Sequence, residues 1–183
     1  QAVASLLLTD PTQAQAFLTR AQRLGATAMQ EVRESVRTLR ADGQVEKPLA
    51  DTIAALAEEF RQVTGITPTV DTRLTKSVSS SVSKALYRIV QEALTNISKY
   101  AQATQVQIHL VTADNDRLDS SNLIKLTIAD NGQGFNDQQS ATGFGLQGMQ
   151  ERVAALDGEF HLTTSPGAGC QIQVKLPLLE VLS

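Results

Sequence analysis

The strongest chemical signal in this chain is a carboxylate followed by two closely spaced glycines. Asp130 stands at the end of an alternating apolar run, and Gly132, Gly134 and Phe135 follow it. Glycine lets backbone N–H groups approach a ligand closely, and a carboxylate can accept hydrogen bonds from the edge of a base. The segment therefore predicts the base-binding part of a nucleotide site, although an Asn-Gly pair taken alone more often marks only a hairpin turn.

A second glycine cluster follows a polar segment and opens a predicted helix. It contains Gly143, Gly145 and Gly148, with Leu146 among them. A helix N-terminus presents unpaired N–H groups and the positive end of the helix dipole, and both favour phosphate. Because this cluster comes soon after Asp130, the two segments together predict a site that binds a base at one end and phosphates at the other.

Three polar residues on an upstream helix could complete this chemistry. Glu92, Asn96 and Lys99 fall within an arc of about 60° on a predicted helix. Apolar residues occupy the adjacent arc, so the three lie at the margin of a buried face. A carboxylate, an amide oxygen and an ammonium could hold Mg²⁺ and pair with phosphates. The alternative is a solvated helix flank with an ordinary Glu-to-Lys ion pair.

These motifs resemble, in order, those of the histidine kinases in the GHKL ATPase superfamily, whose domain has the Bergerat fold. The resemblance covers about residues 46–178. The second glycine cluster is most similar to that of the sensor histidine kinases that partner NarL-type response regulators. The matching segments are Glu92–Tyr100 (the N box), Asp130–Phe135 (the G1 box), Gly143–Arg152 (the G2 box) and Ser165–Gly169, which precedes the closing strand.

The resemblance implies a catalytic site for ATP and Mg²⁺. It makes Asn96 the Mg²⁺ ligand and gives Glu92 a supporting place at the metal or its water, so these two are the implied catalytic residues. Lys99 and Tyr100 would approach the phosphates, and Asp130 would accept from the adenine amino group. The other residues that the resemblance assigns to ATP binding are Gly132, Gly134, Phe135, Gly143, Gly145, Leu146, Gly148 and Cys170.

Three positions depart from the pattern of that family. Tyr100 stands where this subgroup often has His, and Gln147 replaces a frequent basic residue. Cys170 stands where a Thr or Ser often lies beside the adenine-binding aspartate, and a thiol is a poorer hydrogen-bond partner than a hydroxyl. We therefore expect modestly weaker adenine binding, with the metal-binding asparagine and the adenine-binding aspartate both retained.

The resemblance also divides the chain into two regions. Residues 46–178 would form the ATPase domain. Residues 1–42, with a long amphipathic helix predicted from Pro11 to Arg40, would be the C-terminal part of the dimerisation and phosphotransfer hairpin. The family carries the phosphoacceptor histidine on the first helix of that hairpin, so we expect it upstream of Gln1 and absent from residues 1–42. His109 and His161 fall on predicted strands, out of phase with their apolar neighbours, so neither is expected to accept phosphate. We expect this piece of a longer protein kinase to bind ATP without phosphorylating itself.

The fold implied by the resemblance is an α/β two-layer sandwich. A mixed, mostly antiparallel sheet would be covered on one face by three helices and preceded by the long amphipathic helix. Residues 136–142 are polar, and we expect them to form a mobile lid. Periodicity and turn residues predict a helix from Lys47 to Gly65, with Val63 on its buried face, and two further helices at 81–101 and 146–156. The same signals predict strands at 66–71, 105–112, 123–129, 159–164 and 169–176.

Composition narrows the classes of partner. The chain has 183 residues and a net charge of −3, so no basic excess points to nucleic acid. Its single cysteine favours the cytoplasm, and no apolar run is long enough to cross a membrane. We expect a cytoplasmic piece without membrane contact of its own, from a full-length protein that could be membrane-anchored. The expected partners are a second copy of the full-length protein and a response regulator with a NarL-type output domain.

Two other functions fit the same motifs. A serine kinase of the anti-sigma-factor type shares the fold. Such kinases lack the hairpin-like helix that this chain is predicted to have ahead of residue 42. A non-catalytic regulatory module could keep a degenerate nucleotide pocket and act by binding a partner through residues 11–40. Phosphorylation of a protein serine would support the first, and failure to bind ATP would support the second.

Overall fold

The computed structural model describes residues 47–113, 122–136 and 144–178 of the chain. The chain divides into two units, Gln1–Glu46 and Lys47–Ser183, and every described residue belongs to the second. The long helix and the dimerisation region predicted at residues 1–42 therefore lie outside the described residues. So does nearly all of the predicted lid.

The first described helix, α1, spans Leu49–Thr64 and ends as the sequence predicts. Gly65 adopts a left-handed conformation (φ 76°) and donates its N–H to the carbonyl of Arg61, which caps the helix. Val63 is 75% exposed, so its predicted place on the buried face is wrong. It lies in the last turn, at the margin of the apolar face and next to the cap, where the chain turns away. The buried residues of the helix are Leu49, Ile53, Leu56, Ala57 and Phe60.

The second helix, α2, spans Ser80–Asn96 and continues without a break into a π-helical turn, Ile97–Ala101. At its start the Ser79 hydroxyl accepts a hydrogen bond from the Val82 N–H, as an N-cap serine does. At its end Gln102 adopts a left-handed conformation (φ 53°), and the chain leaves the helix. The extent predicted for this helix is confirmed, but no residue pattern indicated the wider last turn.

A five-stranded sheet forms the second layer, and its mixed, mostly antiparallel character is confirmed. The strand order is β1-β2-β3-β5-β4, with β1 parallel to β2 and every other neighbouring pair antiparallel. The edge strand β1 starts after Pro68, because proline has no N–H to contribute to a ladder. The strands are β1 (Thr69–Arg73), β2 (Val106–Ala113), β3 (Leu123–Asp130), β4 (Glu159–Thr164) and β5 (Cys170–Pro177).

One face of the sheet is apolar and is covered by the helices. Alternate residues of the central strands are buried, while Gln107, Lys125 and Gln173 between them are exposed on the other face. The third helix, α3, spans Phe144–Ala154 and contributes Met149 and Val153 to the same core. The buried strand residues in this core are Val106, Ile108, Leu110, Ile124, Leu126, Ile128, Ile172, Val174 and Leu176. None of the described helices is long and apolar enough to cross a bilayer.

We expect the core and the end of α1 to respond very differently to the same substitution. Val90→Ala removes two methyl groups from a fully buried position on α2, so it should lower the free energy of unfolding by about 2–3 kcal/mol. Val63→Ala is the matched control, because its side chain is already exposed, and it should change stability by less than about 0.5 kcal/mol. Urea unfolding measures both, and equal losses would contradict this assignment of the core.

Candidate functional site

A cavity of about 310 Å³ lies between the helical layer and the sheet. Its walls come from the end of α2, the π-helical turn, the ends of β3 and β5, the loop after β3 and the first turn of α3. The described residues that line it are Ala93, Asn96, Ile97, Tyr100, Ala101, Ile128, Asp130, Gln133, Gly134, Phe135, Gly145, Leu146, Cys170 and Ile172.

Asp130 provides the carboxylate at one end of the cavity. It is the last residue of β3, and the strand register places it beside Val106 on one side and Cys170 on the other. Partial burial raises the pKa of its carboxyl, and hydrogen bonds from the backbone of Gly132 and Cys170 oppose that rise. The Gly132 N–H donates to Asp130 Oδ1 at 2.8 Å. The carboxylate is thus under-solvated when ionised, and a ligand that donates a hydrogen bond would stabilise it.

The two glycines after Asp130 are required by packing within the protein. A Cβ atom on Gly132 would overlap the carbonyl oxygen of Ala101, at the end of α2. Gly134 adopts a positive φ of 57°, and a Cβ there would overlap the carbonyl oxygen of Ser165. Gly132 does not line the cavity, so its role is to let the loop approach the helix end.

Side chains that the sequence motifs do not single out hold this loop. Asn131 Oδ1 accepts hydrogen bonds from the N–H groups of Thr104 and Gln105 at 2.9 Å, and its Nδ2 donates to Thr104 Oγ1 at 2.9 Å. The Thr164 hydroxyl accepts from the Phe135 N–H at 3.2 Å and donates to the carbonyl of Gly169 at 2.8 Å. The only sequence signal for these residues is their general preference for turns and strand ends, which does not name their partners.

Asn96 and Gly145 line the cavity where it meets the first turn of α3, which is the other end of the cavity, and Glu92 packs against Gly145 without lining the cavity itself. A Cβ on Gly145 would lie 3.1 Å from Glu92 Cδ and 3.4 Å from Asn96 Nδ2, so both α2 side chains pack against the first turn of α3. Within the described part of the chain, neither side chain has a hydrogen-bonding partner. One carboxylate and one amide oxygen fit Mg²⁺ whose remaining ligands are phosphate oxygens and water, so the residues present fit such an ion.

Some of the predicted ATP-site residues line the cavity and others do not. Tyr100 lines the cavity although it is 59% exposed. Lys99 is exposed and does not line it, and Gly148 lies within α3 beside its own helix's Arg152. Gly143 lies outside the described residues. The predicted residues that do line the cavity are Asn96, Tyr100, Asp130, Gly134, Phe135, Gly145, Leu146 and Cys170.

Apolar side chains form the floor of the cavity between its two polar ends. Ala93, Ile97, Ile128 and Ile172 supply it, and they belong at the same time to helices and strands of the hydrophobic core. Such surfaces suit the faces of a flat aromatic base, which are poorly hydrated compared with its edge. In the sequence these residues look like ordinary core positions.

Comparison with known proteins agrees with this geometry. Residues 81–180, more than half of the chain, match the family described as "Histidine kinase-, DNA gyrase B-, and HSP90-like ATPase". The chain therefore belongs to this family of ATPase domains. The GHKL resemblance and the predicted fold class are both confirmed.

Two curated relatives are sensor proteins from Bacillus and Staphylococcus. The sensor histidine kinase LiaS of Bacillus subtilis is 32% identical over 158 residues, which are 86% of this chain and 42% of that protein. The sensor protein VraS of Staphylococcus saprophyticus is 32% identical over 149 residues, 81% of this chain and 41% of that protein. The chain thus spans about two fifths of the length of these relatives.

Solved structures support the fold alone. The histidine kinase domain of the blue-light activated kinase from Erythrobacter litoralis EL346 has a TM-score of 0.55 at 20% identity, over 72% of this chain and 61% of that one. The histidine kinase AdeS of Acinetobacter baumannii has a TM-score of 0.56 at 16% identity, over 97% and 92% of the two chains.

Two glycine-to-alanine substitutions should separate the packing role of Gly132 from that of an ordinary helical glycine. Gly132→Ala forces Cβ against backbone atoms of Ala101, which cannot move without disturbing the end of α2, so we expect a loss of about 2 kcal/mol or more. Gly148→Ala meets only the mobile end of Arg152, at 3.1 Å, and should be neutral or stabilising by up to about 1 kcal/mol. Thermal unfolding of both variants checks this, and a stable Gly132→Ala protein would rule out the close approach.

Proposed function

We propose that this chain is the ATP-binding catalytic domain of a two-component sensor histidine kinase. It would bind Mg-ATP and donate the γ-phosphoryl group to a histidine other than His109 and His161, from which a response regulator would receive it. The single observation that carries this proposal is the cavity itself. Its lining includes the half-buried carboxylate of Asp130 together with Asn96 and Gly145, and Glu92 packs against Gly145 just outside the lining. The cavity lies within a domain of the ATPase family.

At the base end, Asp130 would accept a hydrogen bond from the exocyclic amino group of adenine. Guanine presents an acceptor oxygen at the corresponding edge, so it would place two acceptors face to face in a partly buried site and leave both unsatisfied. The apolar floor formed by Ile97, Ile128 and Ile172 would contact the faces of the base.

At the phosphate end, Asn96 and Glu92 would hold Mg²⁺ together with the phosphate oxygens. The metal ion would supply neutralisation of the charge that develops on the transferred phosphoryl group. The chain's own contribution would be to orient the phosphates: the first N–H groups of α3, around Gly145, have no partner within the helix itself and would donate to them. Phosphoryl transfer depends mainly on such positioning and on electrostatic stabilisation.

The two histidines of the chain support an acceptor elsewhere. His109 lies on β2 with Nδ1 3.6 Å from Asp71 Oδ2, and His161 lies on β4 with Nε2 3.7 Å from Glu159 Oε2. Both alternate with residues that face the helices, so they are on the opposite face of the sheet from the cavity. A nucleotide in the cavity could reach neither.

The similarity to LiaS supports a histidine kinase over a serine kinase. A match of 158 residues in a chain of 183 must reach into residues 1–42, where the resemblance predicts the dimerisation hairpin. We infer that this region dimerises in the full-length protein, that the domain acts in the cytoplasm, and that its response regulator has a NarL-type output domain.

Asp130→Asn should weaken nucleotide binding and yet stabilise the free domain. Burial raises the pKa of the Asp130 carboxyl in the folded state above its unfolded value of 3.8. The folded state is therefore destabilised as the pH rises from 3.8 through the folded-state pKa, and this destabilisation is fully present at pH 7. An amide carries no such loss, so the variant should unfold at a slightly higher urea concentration than the parent at pH 7 but not at pH 3.

Calorimetric titration with a non-hydrolysable ATP analogue and Mg²⁺ tests the binding half of this prediction. The parent protein should bind and Asp130→Asn should lose at least about tenfold in affinity. Asp51→Asn, an exposed carboxylate change on α1, is the matched control and should bind like the parent. If the parent protein binds no analogue, the proposed function is wrong.

Asn96→Ala should abolish most of the gain in affinity that Mg²⁺ brings. The amide oxygen is removed while the base end stays intact, so the affinity for the analogue in EDTA should remain within about twofold of the parent's. The same titration, with and without Mg²⁺, measures both affinities. A full Mg²⁺ response in the variant would show that Asn96 does not contact the metal.

A further inference from the structure

Two carbonyl groups at the end of the π-helical turn accept hydrogen bonds from one residue, Gln133. The last carbonyls of any helix have no partner within the helix, and here the chain turns away at Gln102. The Nε2 of Gln133 donates to the carbonyl of Tyr100 at 2.6 Å, and its backbone N–H donates to the carbonyl of Ala101 at 2.7 Å. Gln133 thus caps the π-helical turn twice.

Gln133 is also bound from the other side. Its carbonyl accepts a hydrogen bond from the Gly167 N–H at 2.6 Å, and Gly167 lies in the turn between β4 and β5. One residue therefore joins three segments that are distant in sequence: the end of α2, the loop after β3 and the β4–β5 turn. It does so at the wall of the cavity.

The position of this junction relates the two ends of the site. Asn96 directly precedes the π-helical turn, and Asp130 lies at the start of the loop that contains Gln133. The distance between the ends that we propose bind the metal and the base therefore depends partly on how the loop is held on the turn. Single π-helical turns in helices occur frequently at functional sites, and this one directs its two carbonyls toward the loop.

We propose that Gln133 is a positioning residue, which sets the spacing between the base-binding and phosphate-binding ends of the cavity by holding the loop on the π-helical turn. This inference rests on the proposed function and deepens it. A nucleotide that is bound at both ends gains affinity only when the spacing of the two subsites matches its own length. A ligand that occupies the base end alone gains nothing from that spacing.

Methionine isolates the contribution of the side-chain amide. Gln133→Met keeps the length of the side chain and the backbone hydrogen bonds, but it removes the donor to Tyr100. Gln133 is exposed, so the substitution leaves the core intact. A carboxylate would be a worse probe, because it would add a negative charge at the negative end of the helix dipole and close to the phosphates.

The experiment compares two ligands by NMR titration: Mg-ADP, which spans both ends, and adenosine, which occupies the base end. In Gln133→Met we expect the affinity for Mg-ADP to fall about fivefold, while the affinity for adenosine stays within twofold. Gln62→Met is the matched control, because it removes an exposed amide on α1 that donates to Glu58 far along the chain from the cavity. It should bind both ligands like the parent.

The outcomes separate this inference from the function on which it rests. Absence of Mg-ADP binding by the parent protein would overturn the proposed function and the inference with it. Given binding by the parent, an unchanged affinity of Gln133→Met for Mg-ADP would overturn the inference alone. So would a parallel loss for both ligands, because a merely structural role lowers both affinities together.

Discussion

The carboxylate of Asp130, held partly out of water, is the constraint on which the rest of the site depends. Its desolvation raises the pKa, and hydrogen bonds from the backbone of Gly132 and Cys170 only partly offset this. A group in this state is useful only if it stays in place, because a small movement toward water would relieve the cost. The sheet register fixes its backbone between two neighbouring strands, and Asn131 and Gln133 hold the loop that follows it.

The sequence predicts a site residue well when that residue's place follows from the pattern of its own strand or helix. Asp130 follows a clear strand pattern, and Asn96 lies on the flank of a clear amphipathic helix, so both could be placed from the sequence. Gly132 was predicted to let the backbone pass close to the adenine, and the close approach that the structure shows is to the protein's own helix end. Glycine in a sequence indicates a need for space and does not say which group fills it.

The parts that could not be predicted depend on tertiary partners. The π-helical turn after Asn96 has no signature in residue periodicity, since it is stabilised by donors from Gln133, more than 30 residues further along the chain. Val63 fits the apolar stripe of α1 and is exposed nonetheless, because periodicity records the angle around a helix and not where the neighbouring layer ends. In the same way, Ile97 and Ile172 look like core residues and are also the floor of the cavity.

The two ends of the cavity are stabilised in different ways, and this difference bears on how a ligand would bind. At the end that we propose binds the base, hydrogen bonds made by the side chains of Asn131, Gln133 and Thr164 tie the loop to its surroundings before any ligand arrives. At the end that we propose binds the phosphates, Glu92 and Asn96 meet Gly145 by packing alone within the described part of the chain. A preorganised subsite costs little ordering free energy on binding, whereas the second subsite gains its hydrogen bonds only with the ligand. The base would therefore anchor the nucleotide, and the metal and phosphates would complete the phosphate end.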